Sequence, residues 1–170
     1  LRAAVLARLS VAGAAIAAPD ERASLADQAV DMARRVGDTE AEMAALAAFC
    51  DARSGPAHVR HRIEAAGRIL TLAHHHALLE LLGRRLRLRA RLELGDLTGV
   101  DADIAAYARV ADRLRSPTYG WLVPMWRGMR AVLEGDLAAG SRYADEVATL
   151  AGKAQSANAE VMAWSLRWRI

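Results

Sequence analysis

The sequence predicts an all-α fold: a superhelical stack of antiparallel helical hairpins, with about nine helices in all. Three observations predict it. First, 54% of the 170 residues are hydrophobic yet only 5% are aromatic, because Ala and Leu, both strong helix formers, dominate the apolar content. Second, no run alternates apolar and polar residues for long enough to form a strand. Third, the turn Gly95-Asp96-Leu97 returns as Gly135-Asp136-Leu137, forty positions later.

Breaker residues set the helices in order. Leu1–Ala17 is the first, with Leu1, Val5, Leu9, Ala12 and Ile16 at helical spacing as an expected core stripe. Its early Arg and small residues imitate a signal peptide, but Arg8 interrupts the apolar run, so an amphipathic core helix is the better reading. Pro19-Asp20 opens the second helix, which ends at Gly37. Asp38 caps the third, Thr39–Arg53, with Met43, Leu46 and Phe49 on one stripe. Ser54-Gly55-Pro56 turns into the fourth, ending near His74. Ala77–Leu94 is the fifth. Gly95-Asp96-Leu97 turns into the sixth, ending at Arg115, and Ser116-Pro117 opens the seventh. Pro124 lies inside that seventh apolar stretch and is expected to kink or interrupt it, because proline lacks the N–H the helix needs. Gly135-Asp136-Leu137 turns into the eighth helix, and Ser156 caps a ninth that runs to Ile170.

The forty-position offset also relates Gly55 to Gly95, Ser116 to Ser156, and Arg87 to Arg127 and Arg167; Leu86, Trp126 and Leu166 fall in register too. A unit of that length holding two helices and two tight turns is a helical hairpin. One hairpin cannot bury its own apolar stripe, whereas stacked hairpins bury a continuous core and leave a concave groove lined by the first helix of each unit. In each Gly-Asp-Leu, Gly takes the left-handed conformation that ends a helix. Asp caps the next helix and faces its positive end. Leu is expected to fold back into the hairpin.

Charge excludes less than it suggests. The net charge is +3 and the sequence pI is about 9.6. Lys153 is the only lysine, an arginine bias that looks like high-GC coding. Charges of both signs are interleaved, so no basic tail is present and no direct nucleic-acid contact is expected. Cys50 stands alone, which points to a reducing compartment and a small core residue. No stretch approaches the roughly 20 uncharged apolar residues of a membrane span. The chain starts at Leu and ends within a helical pattern. It is read as one helical-repeat domain, residues 1–170, cut from a larger protein.

Three constellations are candidate sites. Trp121, Trp126, Trp164 and Trp168, with Tyr119, gather in the last third. Trp164 and Trp168 share a helix face, and the seventh and ninth helices would be neighbours. They could line a pocket for a planar ligand or a groove for a partner helix, or simply fill seams between hairpins. Arg87, Arg127 and Arg167, with Arg84, Arg91 and Arg130 nearby, form a ladder that could bind an acidic or phosphorylated ligand. The competing reading pairs these arginines with Glu93, Glu134, Asp96 or Asp136 at the turns. His58 and His61 lie three apart, but roughly 20 Å of helix separates them from His74-His75-His76. No metal site is assigned. Asp101/Asp103 and Asp145/Glu146 are expected on exposed faces, and no hydrolytic arrangement is present.

The residues just described carry a resemblance. The stretch Leu86–Gly152 contains Leu-Glu-Leu-Gly-Asp-Leu, Arg-Ser-Pro-Thr-Tyr-Gly-Trp, Met-Trp-Arg-Gly-Met-Arg-Ala-Val-Leu-Glu-Gly-Asp-Leu and Tyr-Ala-Asp-Glu-Val-Ala-Thr-Leu-Ala. It resembles the tetratricopeptide-like region of large ATP-binding LuxR-type transcriptional regulators. Similar regions occur in MalT-like activators, in antibiotic regulatory proteins and behind some bacterial adenylate cyclase domains. Leu25–Asp38 is similar to the same family, and the histidines at 74–76 depart from its usual Gly-Asp turn. In such regulators an NTPase module precedes the repeats, and in some a helix-turn-helix follows. The phosphate-binding Gly-x-x-x-x-Gly-Lys-Ser/Thr is absent: Gly152-Lys153 lacks both the upstream Gly and the following hydroxyl residue.

The resemblance implies a ligand- or partner-sensing module of a cytoplasmic transcriptional regulator, engaged in signal transduction and not an enzyme. A generic protein–protein scaffold is the alternative. Site residues are Trp121, Trp126, Arg127, Trp164, Arg167 and Trp168. Expected partners are a protein, a peptide or a small-molecule inducer, with homo-oligomerisation allowed, no cofactor and no membrane.

Overall fold

From α2 onward most helices in this chain end at or within a few residues of a left-handed backbone, and those positions come at a nearly steady interval. Positive φ occurs at Gly37, Gly55, His74, Gly95, Arg115, Gly135 and Gln155. From Gly95 onward the interval is twenty positions, half of the forty-residue repeat. The computed structural model describes residues 1–74 and 76–169; His75 and Ile170, both within sequence-predicted features, lie outside the described residues.

Among the described residues the chain is helical throughout, with no strand. The helices are α1 (Arg2–Ala12), α2 (Pro19–Val36), α3 (Thr39–Ala52), α4 (Val59–Leu72), α5 (Ala77–Leu94), α6 (Leu97–Leu114), α7 (Pro117–Gly120), α8 (Leu122–Leu133), α9 (Leu137–Ala154) and α10 (Ala157–Arg167). Short 3-10 turns follow α1 at Gly13–Ala15 and precede α4 at Pro56–His58.

The Gly-Asp turns match in detail. Gly95 has φ 78° and Gly135 has φ 82°. Asp96 N–H donates to Arg91 O at 3.0 Å, and Asp136 N–H to Ala131 O at 2.9 Å, so each turn satisfies a carbonyl the helix end leaves open. Each Asp carboxylate then accepts from the backbone three residues on, Gly99 N at 2.9 Å and Ala139 N at 2.8 Å. Asp38 does the same for Ala41 N at 2.9 Å. Gln155 and Ser156 build this turn without glycine: Ser156 N–H reaches Ala151 O at 3.2 Å, and the Ser156 hydroxyl accepts from Ala159 N at 3.3 Å. The leucines depart from expectation. Leu97 and Leu137 are exposed, because each opens its helix just beyond the capping Asp, and neither folds back into its hairpin.

The chain divides into two compact units, Leu1–Asp103 and Ile104–Ile170. In the first, α1 packs on α2 and α3, α2 on α3, α3 on α4 and α4 on α5. Its core is small-residue rich: Ala26, Ala29, Ala45, Ala48 and Ala66 surround Met43, Leu46, Ile69 and Leu72. Small side chains let helix axes approach closely. Gly83 of α5 is one such point, since a Cβ there would sit 2.9 Å from the Leu70 side chain. The Met43–Leu46–Phe49 stripe faces this core as its spacing predicts, and Cys50 is buried beside it. Burial pushes the Cys50 thiol up to about 12.

The first helix corrects the sequence reading. It ends at Ala12, and Leu1, Val5, Leu9, Ala12 and Ile16 face solvent. The buried face is Ala3, Ala7 and Ser10, four and three apart. Ser10 Oγ donates to Arg22 O at 2.8 Å, and Arg22 Nε returns the bond to Ser10 O at 2.8 Å. An alanine face is chosen over a leucine face because α1 must fit closely against two helices at once.

In the second unit α7 and α8 pack on α9, α9 packs on α10, and α8 also meets α10. The seventh predicted helix is interrupted as proline chemistry requires. The break falls at Trp121, and Pro124 then sits in the first turn of α8, where a missing N–H costs nothing. Gly128 marks the closest approach: a Cβ there would lie 2.5 Å from Leu166 Cδ2 and 3.0 Å from Tyr143 Cβ.

Candidate functional site

The tryptophans separate into two kinds. Trp121 is 6% exposed and Trp126 is 4% exposed. Trp121 packs among Val147, Ala151, Ala159 and Ala163. Trp126 meets Tyr107 edge-on, with ring centroids 4.8 Å apart. Both fill seams between helices. Trp164 and Trp168, by contrast, are 62% and 77% exposed. Their rings lie 6.0 Å apart and tilted. With the exposed Val161 they form a stripe at helical spacing along α10 and its C-cap, Trp168. The four indoles therefore do not line one pocket. Trp164 and Arg167 instead border an open hollow of about 450 Å³ with Ala148, Glu160, Val161 and Ala163.

The arginine ladder is mostly engaged. Arg167 Nη2 donates to Asp145 at 2.6 Å on the surface, and Arg127 is exposed. Arg87 is bound inside unit Leu1–Asp103. Its Nε and Nη2 donate to the two oxygens of Asp103 at 3.0 and 2.6 Å. Arg91 Nη1 adds a bond to Asp103 at 2.8 Å, and Arg84 Nη1 lies 3.5 Å away. Asp103 is thus 1% exposed, not on a solvated face. Its burial is tolerated because guanidinium groups satisfy both oxygens. The turn carboxylates take other arginines: Glu93 pairs with the buried Arg62, Asp96 with Arg91, and Glu134 with Arg130. Arg62 holds Glu93 below the usual carboxylate range, chiefly by hydrogen bonding. Asp145 and Glu146 are exposed as expected.

A second concavity carries no predicted site residue. A cleft of about 610 Å³ lies between α2 and α4, over α3. Val30, Leu46, Phe49 and Ala65 give it an apolar lining; Asp27, Asp31 and Arg34 come from α2, and His61, Glu64 and Arg68 from α4. Most of its charge is neutralised in place. Glu42, buried, accepts from Arg34 Nε at 3.2 Å and from Arg68 Nε at 3.1 Å. The Arg68 hydrogen bond holds Glu42 below its ordinary range against the opposing effect of burial, and Arg34 adds to it. Asp27 pairs with Arg53, whose guanidinium lies 5.2 Å above the Phe49 ring. The signal available in sequence was the spacing of Asp27, Asp31 and Arg34 against His61, Glu64 and Arg68. It becomes visible only when α2 and α4 are known to flank α3.

No helix of the described residues is long and apolar enough to cross a membrane. Compared with known proteins, the chain matches no family model, no curated protein and no solved structure.

Proposed function

We propose that this chain is a partner-binding helical-repeat module and that it serves as the sensing region of a cytoplasmic LuxR-type transcriptional regulator. The regulator assignment rests on the sequence resemblance. The binding assignment rests on one observation: the exposed stripe of Val161 and Trp164 on α10 and Trp168 at its C-cap. Large exposed apolar stripes mark interaction surfaces, and covering an indole contributes on the order of 2–3 kcal/mol.

The repeat supports a helix as its cover. Forty positions upstream, Val161, Trp164 and Trp168 correspond to Trp121, Pro124 and Gly128. Trp121 packs against Val147 and Ala151 of α9, and Gly128 sits close to Tyr143 of α9. The α10 stripe is thus the register equivalent of a face that a helix covers. An amphipathic helix is the occupant that fits, laid along α10 with its apolar face on the two indoles, supplied by a protein partner or by the chain beyond residue 170. Arg167 and Glu160 at the edge supply polar contacts. The hollow is open, which favours a helix over an enclosed small molecule.

A displayed library of amphipathic helices, selected against the whole chain, tests the binding assignment. Binders should lose about tenfold or more in affinity on Trp164→Ala or Trp168→Ala, as interface tryptophans usually do. Binders that ignore both substitutions would remove α10 as the binding surface. Concentration-dependent self-association abolished by the same substitutions would replace the partner helix with a second copy. The regulator assignment is tested separately by the gene around this segment: an NTPase module before it and a helix-turn-helix after it are expected.

A further inference from the structure

The α2–α3–α4 cleft carries a net negative charge of one, four carboxylates (Asp27, Asp31, Glu42 and Glu64) against three arginines (Arg34, Arg53 and Arg68). Glu42 serves Arg34 and Arg68 together, and Asp27 serves Arg53. Asp31 on the α2 wall and Glu64 on the α4 wall are both exposed. Among the described residues neither has an ion-pair partner. Between these walls the lining is apolar, with Leu46 and Phe49 of α3 supplied by the stripe that also faces the core.

We propose that this cleft docks a basic amphipathic helix of a partner protein. A lysine or arginine of that helix would lie between Asp31 and Glu64, with a neighbouring apolar side chain over Phe49 and Leu46. Charge complementarity selects this occupant. Asp31 and Glu64 repel phosphates and acidic peptides, and Glu42 hydrogen-bonds both wall arginines and offsets one of their two charges, which leaves the cleft net negative. The cleft is an open trough between two helices rather than a closed cavity, so it accepts a side chain projecting from a rod. Two carboxylates on opposite walls fix where along the rod the cation sits. This surface shares no residue with the α10 stripe, and the inference stands without it.

The test uses the full chain and a fluorescein-labelled helical peptide of Leu, Ala and Lys, about 18 residues or five turns long. An otherwise identical peptide carries Glu for Lys. Fluorescence anisotropy should show saturable binding of the Lys peptide, and Asp31→Asn with Glu64→Gln should weaken it about tenfold. The control Asp20→Asn with Glu146→Gln changes net charge equally at exposed positions elsewhere, and it should leave the affinity unchanged. Trp164→Ala should also leave it unchanged. Circular dichroism melts confirm that these isosteric surface variants remain folded. Equal affinity of the wild-type chain and the Asp31/Glu64 variant would overturn the proposal, as would saturable binding of the Glu peptide. An affinity loss in the control equal to that in the variant would reduce the effect to bulk charge and would overturn it as well. Self-association of the wild-type chain that the Asp31/Glu64 variant abolishes would assign the cleft to a second copy instead.

Discussion

Asp103 offers the most direct test of how the helices are held. Replacing it with Ala removes three charge-assisted bonds of 2.6–3.0 Å from Arg87 and Arg91. The arginines do not lose equally. Arg84 keeps Glu80, and Arg91 keeps Asp96 and the Gly99 carbonyl. Arg87 is left without either of its carboxylate bonds. Its side chain retains 22% exposure, so water recovers part of the loss, and the net destabilisation should be about 3 kcal/mol. Arg87→Ala should cost less, about 2 kcal/mol, because Arg91 continues to satisfy Asp103. The double variant should then cost only slightly more than Asp103→Ala, a coupling of about 1.5 kcal/mol. Urea unfolding followed by far-UV circular dichroism measures all three, with the denaturant slope held constant across the set. Additivity within about 0.5 kcal/mol would show that the pair contributes nothing specific and would refute the reasoning.

Other outcomes follow from single residues. Gly135→Ala meets nothing within 4 Å but must hold φ 82°; it should destabilise by about 1 kcal/mol. Gly152→Ala in helical backbone, with open space around the new methyl, should stabilise by up to about 1 kcal/mol, and thermal melts of the two would move in opposite directions. Cys50, with its thiol raised to about 12, should resist a disulfide reagent at pH 8 in the native state and react at once in urea. Rapid labelling without denaturant would contradict its burial. Glu93 is lowered from 4.5 by Arg62. A depressed carboxylate stabilises the fold above its unfolded value and loses that contribution as pH falls through the folded one. The acid side of the stability profile, below about pH 4.5, should flatten in Glu93→Gln. A profile unchanged by the substitution would remove Glu93 from the account.

The helices and their ends were legible because they depend on local chemistry. Gly95-Asp96 and Gly135-Asp136 satisfy their own backbone groups within a few residues, so the sequence spells the turn. Gln155 and Arg115 adopt the same left-handed backbone without glycine, and only the serines that follow them gave the turns away. The candidate site was less legible. Trp121 and Trp164 are the same residue type, yet one is interior and one exposed, and the phase break at Trp121 defeats counting along a continuous helix. The α1 stripe failed for a related reason. Periodicity finds an apolar face, but a helix squeezed between two neighbours buries its smallest face, Ala3 and Ala7, and leaves Val5 and Leu9 outside. Asp103 was misplaced because its partners are on another helix, a relation that spacing along α6 does not encode.

The twenty-position cadence of left-handed turns has a consequence for how such a chain tolerates change in length. The connections have almost no slack: Gly95-Asp96 is the whole linker between α5 and α6, and Glu134-Gly135-Asp136 the whole linker between α8 and α9. Adding or removing one residue inside α9 rotates everything beyond it by about 100° about the helix axis and carries Val147 and Ala151 away from Trp121. The protein therefore has something like a reading frame. Insertions should survive only as whole hairpins, so that duplicating a forty-residue stretch would be less disruptive than adding a single alanine.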